Sequence, residues 1–205
     1  MTQDKRMTFP YPMLVVVSGP SGVGKSTIVA ELARKRPQVV PIVTATTRPM
    51  RPGEIEGVHY HFLSDAEFSE LRDNDGLLEH ANNHGHWYGT PVDQVRGILA
   101  AGRDAILTIS PEGARNVRRL VPDALLIFVM PPSMEALTRR LQERGSESEA
   151  SLERRKLDAE RWIAQADEYD AVVVNETGHP EEAADRIWEI IQAEARRDPP
   201  RRPRV

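Results

Sequence analysis

The residues with the clearest chemical potential lie near the start of the chain, in the run Gly19-Pro20-Ser21-Gly22-Val23-Gly24-Lys25-Ser26. Glycine, four residues, then Gly-Lys-Ser is the spacing of a loop whose backbone N–H groups surround phosphate oxygens. In such a loop the lysine reaches the β- and γ-phosphates of a nucleoside triphosphate, and the serine hydroxyl coordinates Mg²⁺. We therefore predict a triphosphate site over residues 19–27, Thr27 included, with Lys25 as a catalytic residue and Ser26 as a metal ligand.

The elements around this phosphate loop are the ones that the chemistry requires. Met13 to Val17 is a short apolar, β-branched run typical of a buried strand, and Thr27 to Arg36 has the pattern of a helix. A helix that begins after the loop points the positive end of its dipole at the same anion. A glycine-rich turn that contains Lys-Ser by chance is the alternative, and the flanking strand and helix disfavour it.

Length and composition restrict the class of protein. A chain of 205 residues with 40% hydrophobic residues can bury one substantial core with smaller inserted units. The net charge of −4 gives no basic surface for nucleic acid, and the absence of cysteine excludes disulfides, thiolate metal sites and a cysteine nucleophile. The first apolar run is broken at Ser18 and Gly19, which is too short for a signal peptide or a membrane span. We expect a cytoplasmic protein with small-molecule substrates and no membrane or nucleic-acid partner, and leave its oligomeric state open.

A change in composition marks the start of an insert. The run Thr46-Thr47-Arg48-Pro49-Met50-Arg51-Pro52-Gly53-Glu54 places two arginines three residues apart in a segment that its prolines keep from being helical. Guanidinium groups bind phosphate oxygens in a bidentate manner, so Arg48 and Arg51 are candidates for a second phosphate. For an isolated pair of arginines, an exposed charged loop would be the better interpretation.

An aromatic cluster between glycines follows, in Gly85-His86-Trp87-Tyr88-Gly89-Thr90. Glycines let the backbone approach a flat ligand, and aromatic rings can stack on it or donate a hydroxyl group. A β-hairpin whose rings pack inward is an equally good interpretation of this segment alone.

Taken together, these motifs resemble guanylate kinase. The phosphate loop, the Thr-Thr-Arg-Pro-x-Arg-x-Gly-Glu segment continuing to Tyr60 and Phe62, Glu79-x-Ala, and Gly85-x-x-Tyr-Gly-Thr occur in that order and spacing. The resemblance extends from about Met13 to the helix before the C-terminal tail. It implies a kinase that uses ATP and Mg²⁺ to phosphorylate GMP, and also dGMP, to the diphosphate.

The resemblance also implies roles for individual residues. Glu79 and Thr90 would read the guanine base, because a carboxylate accepts from N1–H and the 2-amino group while a hydroxyl satisfies O6. Arg144 and Arg155 would swing onto the transferring phosphoryl group as arginine fingers. By residue type alone, such arginines on a charged helix are solvated ion pairs. The positions that match those holding the 5′-monophosphate are Thr44, Arg48, Arg51, Tyr60 and Tyr88, with Arg48 also counted as catalytic.

Alternating strands and helices predict an α/β fold, a P-loop kinase with a doubly wound and mostly parallel sheet. The expected strands include 39–44 and 57–62. The expected organisation is a loose leader (1–12), a core (13–43, 96–136 and 167–196), a nucleoside monophosphate-binding insert (44–95), a helical lid (137–166) and a disordered basic tail (197–205).

The sequence departs from the family pattern on one predicted strand. Guanylate kinases usually carry two aspartates where this chain has Thr108 and Ser110, followed by a glutamine where it has Glu112. Since a hydroxyl binds a hard cation much more weakly than a carboxylate, either Glu112 compensates or the enzyme is slower or altered in specificity. A milder departure is His86-Trp87 in place of Asn-Tyr. Five histidines lie between His59 and His86, but they lack ligand spacing and do not predict a transition-metal site.

Two alternatives remain at this stage. One is a related kinase that phosphorylates another small phosphate, such as a ribose bisphosphate; the missing aspartates favour it, whereas Glu79 would then have no base to read. The other is a guanylate-kinase-like binding module without catalysis, which the intact phosphate loop disfavours.

Overall fold

The structure, a computed structural model, describes residues 11–83, 85–143 and 149–205, and of residues 149–151 it describes only the helical backbone. In these ranges no helix combines the length and apolar composition that a bilayer crossing needs. The strands are β1 (Leu14–Ser18), β2 (Val39–Pro41), β3 (Ala45–Thr46), β4 (His61–Phe62), β5 (Leu77–Asn83), β6 (His86–Pro91), β7 (Asp104–Thr108), β8 (Leu125–Met130) and β9 (Ala171–Val174). The helices are α1 (Lys25–Lys35), α2 (Asp65–Asp73), α3 (Val92–Ala100), α4 (Pro111–Leu120), α5 (Met134–Glu143), α6 (Glu149–Ile163) and α7 (Pro180–Ala195), with a 3₁₀ turn at Ala166–Glu168.

A five-stranded parallel sheet forms the core, in the order β2-β7-β1-β8-β9. All five residues of β1 are buried because helices cover both faces of the sheet. Its Val15 and Val17 pack into one apolar cluster with α1, α5 and α7, whereas Leu14 and Val16 pack into a second cluster with α3 and α4. The predicted α/β architecture with a mostly parallel sheet is confirmed.

A second, four-stranded sheet in the order β4-β3-β6-β5 lies within the predicted insert. Strands β5 and β6 form an antiparallel hairpin in which Glu79 lies opposite Thr90. Helix α2 begins at a capping box, where the Ser64 hydroxyl accepts from the backbone N–H of Glu67 and the Glu67 carboxylate accepts from the backbone N–H of Ser64. The small sheet therefore places the predicted base-reading pair on a single hairpin.

Two of the predicted strands were wrong in extent. Instead of one strand over 39–44, β2 ends at Pro41, and β3 begins in the other sheet at Ala45. Only His61–Phe62 of the predicted strand 57–62 is extended, because Gly57 has a φ of +70° and the His59 ring accepts a hydrogen bond from the backbone N–H of Ile55 in a turn. Turns over residues 57–60 thus take the place of the strand that the alternating residue types suggested.

The tail is also different from the expectation of disorder. Arg201 is only 7% exposed, pairs with Asp170 (3.3 Å) and Glu194 (2.6 Å), and donates to the backbone carbonyl of Ala124 (3.0 Å). Val205 packs against the second apolar cluster. Composition predicted a solvated end, but Glu194 at the end of α7 and the more distant Asp170 provide carboxylate partners for a buried Arg201.

Candidate active site

The phosphate loop joins the carboxyl end of β1 to the first turn of α1. Gly19 has a φ of +141°, and a Cβ atom there would lie 2.3 Å from the backbone oxygen of Val129. No residue other than glycine fits this position without moving β8. Because β1 is central in the parallel sheet, the loop lies at the carboxyl edge of the strands, which is the usual ligand-binding edge of an open α/β sheet.

Contacts from three elements fix the shape of this loop. The Lys25 ammonium group donates to the backbone carbonyls of Gly19 (2.7 Å) and Pro20 (3.0 Å). The Val23 carbonyl accepts from the side chains of Asn175 (2.7 Å) and Arg140 (3.2 Å). These contacts border a cavity of about 330 Å³ that Gly22, Gly24, Thr27, Arg140, Glu143, Asn175, Glu176, Gly178 and Pro180 line.

Arg48 is prepared for an anion on the insert side. Its guanidinium is within 2.7 Å of the Glu54 carboxylate and lies 5.4 Å from the centre of the Tyr60 ring and 5.6 Å from that of Phe62. Tyr88 lies next in the cluster, with its ring centre 6.0 Å from that of Tyr60. Burial raises the pKa of the Tyr60 hydroxyl, so this group stays a neutral donor at physiological pH.

The remaining predicted phosphate ligands border the same cluster. Arg51 is exposed, its backbone N–H donates to Glu54 (2.7 Å), and its charge acts on the pKa of Tyr60. Thr44 is buried in the segment that joins β2 to β3, where its carbonyl accepts from the backbone N–H of His61 (2.9 Å). Arg48, Tyr60 and Tyr88 thus form one cluster, with Arg51 at its solvent-exposed side and Thr44 beside the strand that follows Tyr60.

Glu79 and Thr90, the predicted base-reading residues, contact each other and form a candidate base pocket. The Thr90 hydroxyl donates to the Glu79 carboxylate at 2.7 Å, and the two residues are 0% and 5% exposed, respectively. Burial is the main cause that raises the pKa of the Glu79 carboxyl to about 7; the Thr90 hydrogen bond opposes this rise and the charge of Glu112 adds to it. A buried carboxylate with so few partners is able to accept hydrogen bonds from a ligand.

The base pocket lies at the same sheet edge as the phosphate loop. A Cβ atom on Gly113, in the first turn of α4, would lie 2.8 Å from a Glu79 carboxylate oxygen. Helix α4 follows the carboxyl end of β7, whose Thr108 pairs with Val17 of β1, two residues before the loop begins. The elements that present Glu79 and Lys25 are therefore neighbours at one edge of the core sheet.

Comparisons with known proteins agree with this arrangement. The guanylate kinase family model matches residues 11–194. The chain belongs to the guanylate kinase family. It is 49% identical over 191 residues to a guanylate kinase of Thermobifida fusca, covering 93% of each chain, and 43% identical to one of Rhizobium etli, covering 91% of this chain and 84% of the relative. The solved guanylate kinase of Anaplasma phagocytophilum superposes with a TM-score of 0.76 at 34% identity, covering 91% of this chain and 88% of the other.

A more distant likeness concerns the fold alone. The SH3-kinase fragment of tight junction protein 3 superposes with a TM-score of 0.51 at 15% identity, covering 96% of this chain and 61% of that one. The guanylate kinase fold is thus shared with a protein of quite different sequence, and only the site residues can argue for catalysis.

One predicted lid arginine of this guanylate kinase reaches the phosphate loop. Arg155, on α6, donates to the Ser21 hydroxyl at 2.6 Å. Ala159, one turn further along α6, is buried in the core cluster that contains β1. Arg144, the other predicted arginine finger, lies outside the described residues, so its assignment stays a prediction.

The hydroxyls that replace the family aspartates have different surroundings. Thr108 ends β7, whereas Ser110 caps α4, accepting from the backbone N–H of Gly113 (3.2 Å) and from the side-chain amide of Asn83 (3.3 Å). Glu112 follows in the first turn of α4, and its charge influences the pKa of Glu79. The carboxylate nearest to these hydroxyls in the chain is therefore that of Glu112, which lies on α4, whereas the family aspartates would belong to the strand.

Several residues near the site escaped the sequence argument. Glu54, Asn175 and Arg140 fix Arg48 or the phosphate loop, and Gln94 bonds to both backbone groups of Val43 at 3.2 Å each. These residues act on backbone groups or on other side chains that are remote in sequence. Of these, Glu54 alone could have been found from the sequence, because it ends the arginine-containing run 46–54.

The residues present fit a metal ion that the substrate largely coordinates. Ser26 is exposed in the first turn of α1, where its hydroxyl can reach a phosphate-bound ion. Among the described residues, the one group of three clustered potential ligands is His179, Glu181 and Glu182, which are all exposed on the surface. A metal at the phosphate loop would thus depend on Ser26, water and phosphate oxygens, which suits the preferences of Mg²⁺.

Proposed function

We propose that this protein transfers the γ-phosphoryl group of ATP to GMP, and also to dGMP, giving ADP and the nucleoside diphosphate. The observation that carries the proposal is the buried Glu79–Thr90 pair at the sheet edge that holds the phosphate loop. Membership of the guanylate kinase family supports the same conclusion. Its cytoplasmic location and the domain boundaries stay predictions from the sequence.

The base pocket would select guanine by satisfying its donors. The ionised Glu79 carboxylate accepts from N1–H and the 2-amino group, while the Thr90 hydroxyl turns from Glu79 to the 6-oxygen. Adenine has no N1–H and would leave the buried carboxylate unpaired. Sites of this kind discriminate strongly, because an unpaired buried charge costs more than a lost contact.

The two phosphate sites would orient the reacting groups. Arg48, Arg51, Tyr60 and Tyr88 hold the acceptor monophosphate, with Thr44 beside them at the insert. One oxygen of this phosphate attacks the γ-phosphorus as the bond to the β–γ bridging oxygen breaks, and ADP leaves with the bond electrons. This transfer needs no covalent enzyme intermediate, so positioning and charge stabilisation supply the catalysis.

Positive charge would accumulate around the phosphoryl group in the closed enzyme. Lys25 and the loop amides contact the β- and γ-phosphates, and Arg155 and Arg144 approach from the lid. Mg²⁺ on Ser26, when bound, neutralises the charge on the β- and γ-oxygens. Arg155 is already within hydrogen-bonding distance of Ser21, which supports its assignment to this role.

A coupled assay for ADP formation tests the proposal with GMP, dGMP, AMP and ribose 1,5-bisphosphate as acceptors. We expect turnover with GMP and dGMP, and loss of at least about 100-fold in kcat/KM with AMP, as hydrogen-bonding sites give. Turnover with the ribose bisphosphate and with none of the nucleotides would support the alternative of a related kinase that acts on another small phosphate. Binding of GMP without turnover would support a non-catalytic module.

A further inference from the structure

The first turn of α4 contains a glycine, Gly113, and the Glu79 carboxylate lies in the space that a side chain at this position would need. A Cβ atom on Gly113 would lie 2.8 Å from Glu79 Oε2 and 3.4 Å from both Glu79 Cδ and Ile109 Cβ. The backbone does not require glycine there, because Gly113 is helical and its φ is not positive. Alanine would favour the helix by about 1 kcal/mol on propensity alone. The space left by glycine is therefore the feature that needs an explanation.

Hydrogen bonds hold both sides of this contact in their observed positions. On the hairpin side, Thr90 fixes Glu79 Oε1 at 2.7 Å, in a pocket where Glu79 is 5% exposed. On the helix side, the Ser110 hydroxyl accepts from the backbone N–H of Gly113 (3.2 Å) and from the Asn83 side chain (3.3 Å). The Glu79 carboxylate thus lies between a buried hydroxyl and a capped helix turn.

A second link joins the helix to the same strand. Asn116, one turn further along α4, donates to the backbone carbonyl of His80 at 3.0 Å. Strand β5 is therefore hydrogen-bonded to α4 and its cap at His80 and at Asn83, one and four residues after Glu79. A methyl group on Gly113 would be accommodated by rotating the carboxylate rather than by separating the strand from the helix.

We infer that Gly113 is a positioning residue for guanine selectivity: by having no side chain, it lets the Glu79 carboxylate face the base in the orientation that serves two hydrogen bonds at once. The inference rests on the proposed reading of guanine by Glu79. Gly113 does not itself contact the base. It acts through the orientation of the Glu79 carboxylate.

The test is Gly113→Ala, assayed with GMP and with IMP, which has N1–H and the 6-oxygen but lacks the 2-amino group. A misdirected carboxylate loses one charged hydrogen bond, which corresponds to about a 10-fold or greater rise in the KM for GMP. The KM for IMP should rise less, so the preference for GMP over IMP should fall. The KM for ATP should stay within about twofold, because the phosphate loop is unchanged.

Gly97→Ala is the matched control. Gly97 is also a helical glycine, but a Cβ atom there would have no neighbour within 4 Å. Both variants gain the same helix propensity, so neither should lower the melting temperature, and both should retain the calorimetric affinity for a non-hydrolysable ATP analogue. Only Gly113→Ala should lose selectivity.

The outcomes separate this inference from the proposed function. If the unmodified protein does not phosphorylate GMP, the proposed function fails. If it does, and Gly113→Ala leaves the KM for GMP and the GMP-to-IMP ratio unchanged, the positioning role alone is refuted. An equal loss for GMP and IMP, or loss of ATP-analogue binding, would also refute it, because Gly113 would then be needed for packing.

Discussion

The Glu79 carboxyl combines burial with a role that needs its ionised form. Its pKa is about 7 in the unliganded protein, so close to half of the molecules hold a proton there at neutral pH. A protonated carboxyl has lost an acceptor that the guanine donors require. The residue that we propose as the source of selectivity should therefore also make GMP binding depend on pH.

We predict that GMP binding tightens as the pH rises from about 6 to about 8. The ionised fraction of a group with a pKa near 7 increases about 10-fold over this range, and the dissociation constant should fall accordingly. The measurement is calorimetric titration with GMP alone. Glu79→Gln is the control, because the second ionisation of the phosphate contributes equally to both proteins. An equal pH dependence in the two would contradict the assignment.

A second prediction at this scale concerns Glu54. This carboxylate pairs with Arg48 at 2.7 Å and accepts from the backbone N–H of Arg51 at 2.7 Å, so it fixes the loop that presents both arginines. Glu54→Gln should raise the KM for GMP about 10-fold, with kcat changed less, because a charged hydrogen bond is lost.

Glu31→Gln is the control for Glu54→Gln. It breaks another glutamate–arginine pair, with Arg34 on the exposed face of α1. Initial rates over a range of GMP concentrations should be unaffected by this control. A KM for GMP that is unchanged in Glu54→Gln would show that Arg48 needs no support from Glu54.

At the scale of elements, Gln94 on α3 joins the core to the insert. Its side-chain amide accepts from the backbone N–H of Val43 (3.2 Å) and donates to the carbonyl of the same residue (3.2 Å), where the chain passes from β2 to β3. It also contacts the His61 ring at 3.0 Å. The Gln94 side chain thus provides the hydrogen-bond partners of Val43, whose backbone groups belong to neither sheet.

Gln94→Ala should increase the mobility of the segment between β2 and β3, because the N–H and carbonyl of Val43 would then bond only to water. We expect hydrogen exchange at residues 42–45 to accelerate and the KM for GMP to rise about threefold or more, while the KM for ATP stays constant. Gln38→Ala, before β2, is the control. Unchanged exchange at 42–45 would show that Gln94 does not restrain the passage.

The elements differ in how far local sequence determines them. Helix α2 begins at Asp65 and α7 at Pro180 because their start signals, Ser64 and Pro180, are local. Strands β3 and β4 have two residues each, and partners remote in sequence define them. Glu79 and Thr90 were named from local motifs as base-reading residues, whereas their hydrogen bond to each other, the space that Gly113 leaves and the link from Asn83 to Ser110 join residues remote in sequence and were not predicted.

At the scale of the whole molecule, the tail fastens three parts of the core together. Arg201 links the residue before β8, the residue before β9 and the last turn of α7 through Ala124, Asp170 and Glu194. Ala124 and Asp170 directly precede parallel strands, so they lie at the opposite edge of the sheet from the phosphate loop. The tail should therefore contribute to stability and not to catalysis.

Arg201→Ala should lower the free energy of unfolding by about 2–3 kcal/mol, because it removes the buried guanidinium that holds Glu194 and the Ala124 carbonyl, while Asp170 keeps Arg118 and the N–H of Leu126. Arg197→Ala is the control, since Arg197 is exposed and lies 3.7 Å from the same Glu194; it should cost less than about 1 kcal/mol. Urea unfolding measures both, and kcat should be unchanged in each. A loss of kcat in folded Arg201→Ala would contradict the separation of tail and site.

The central claim is that the phosphate loop and the base pocket open onto one cleft that holds two nucleotides facing each other. The most direct test is calorimetry with adenosine and guanosine joined by five phosphates, in the presence of Mg²⁺. We predict one molecule bound per chain, more tightly than ATP analogue or GMP alone, and competition with both. Competition with only one nucleotide, or two molecules bound per chain, would contradict the claim.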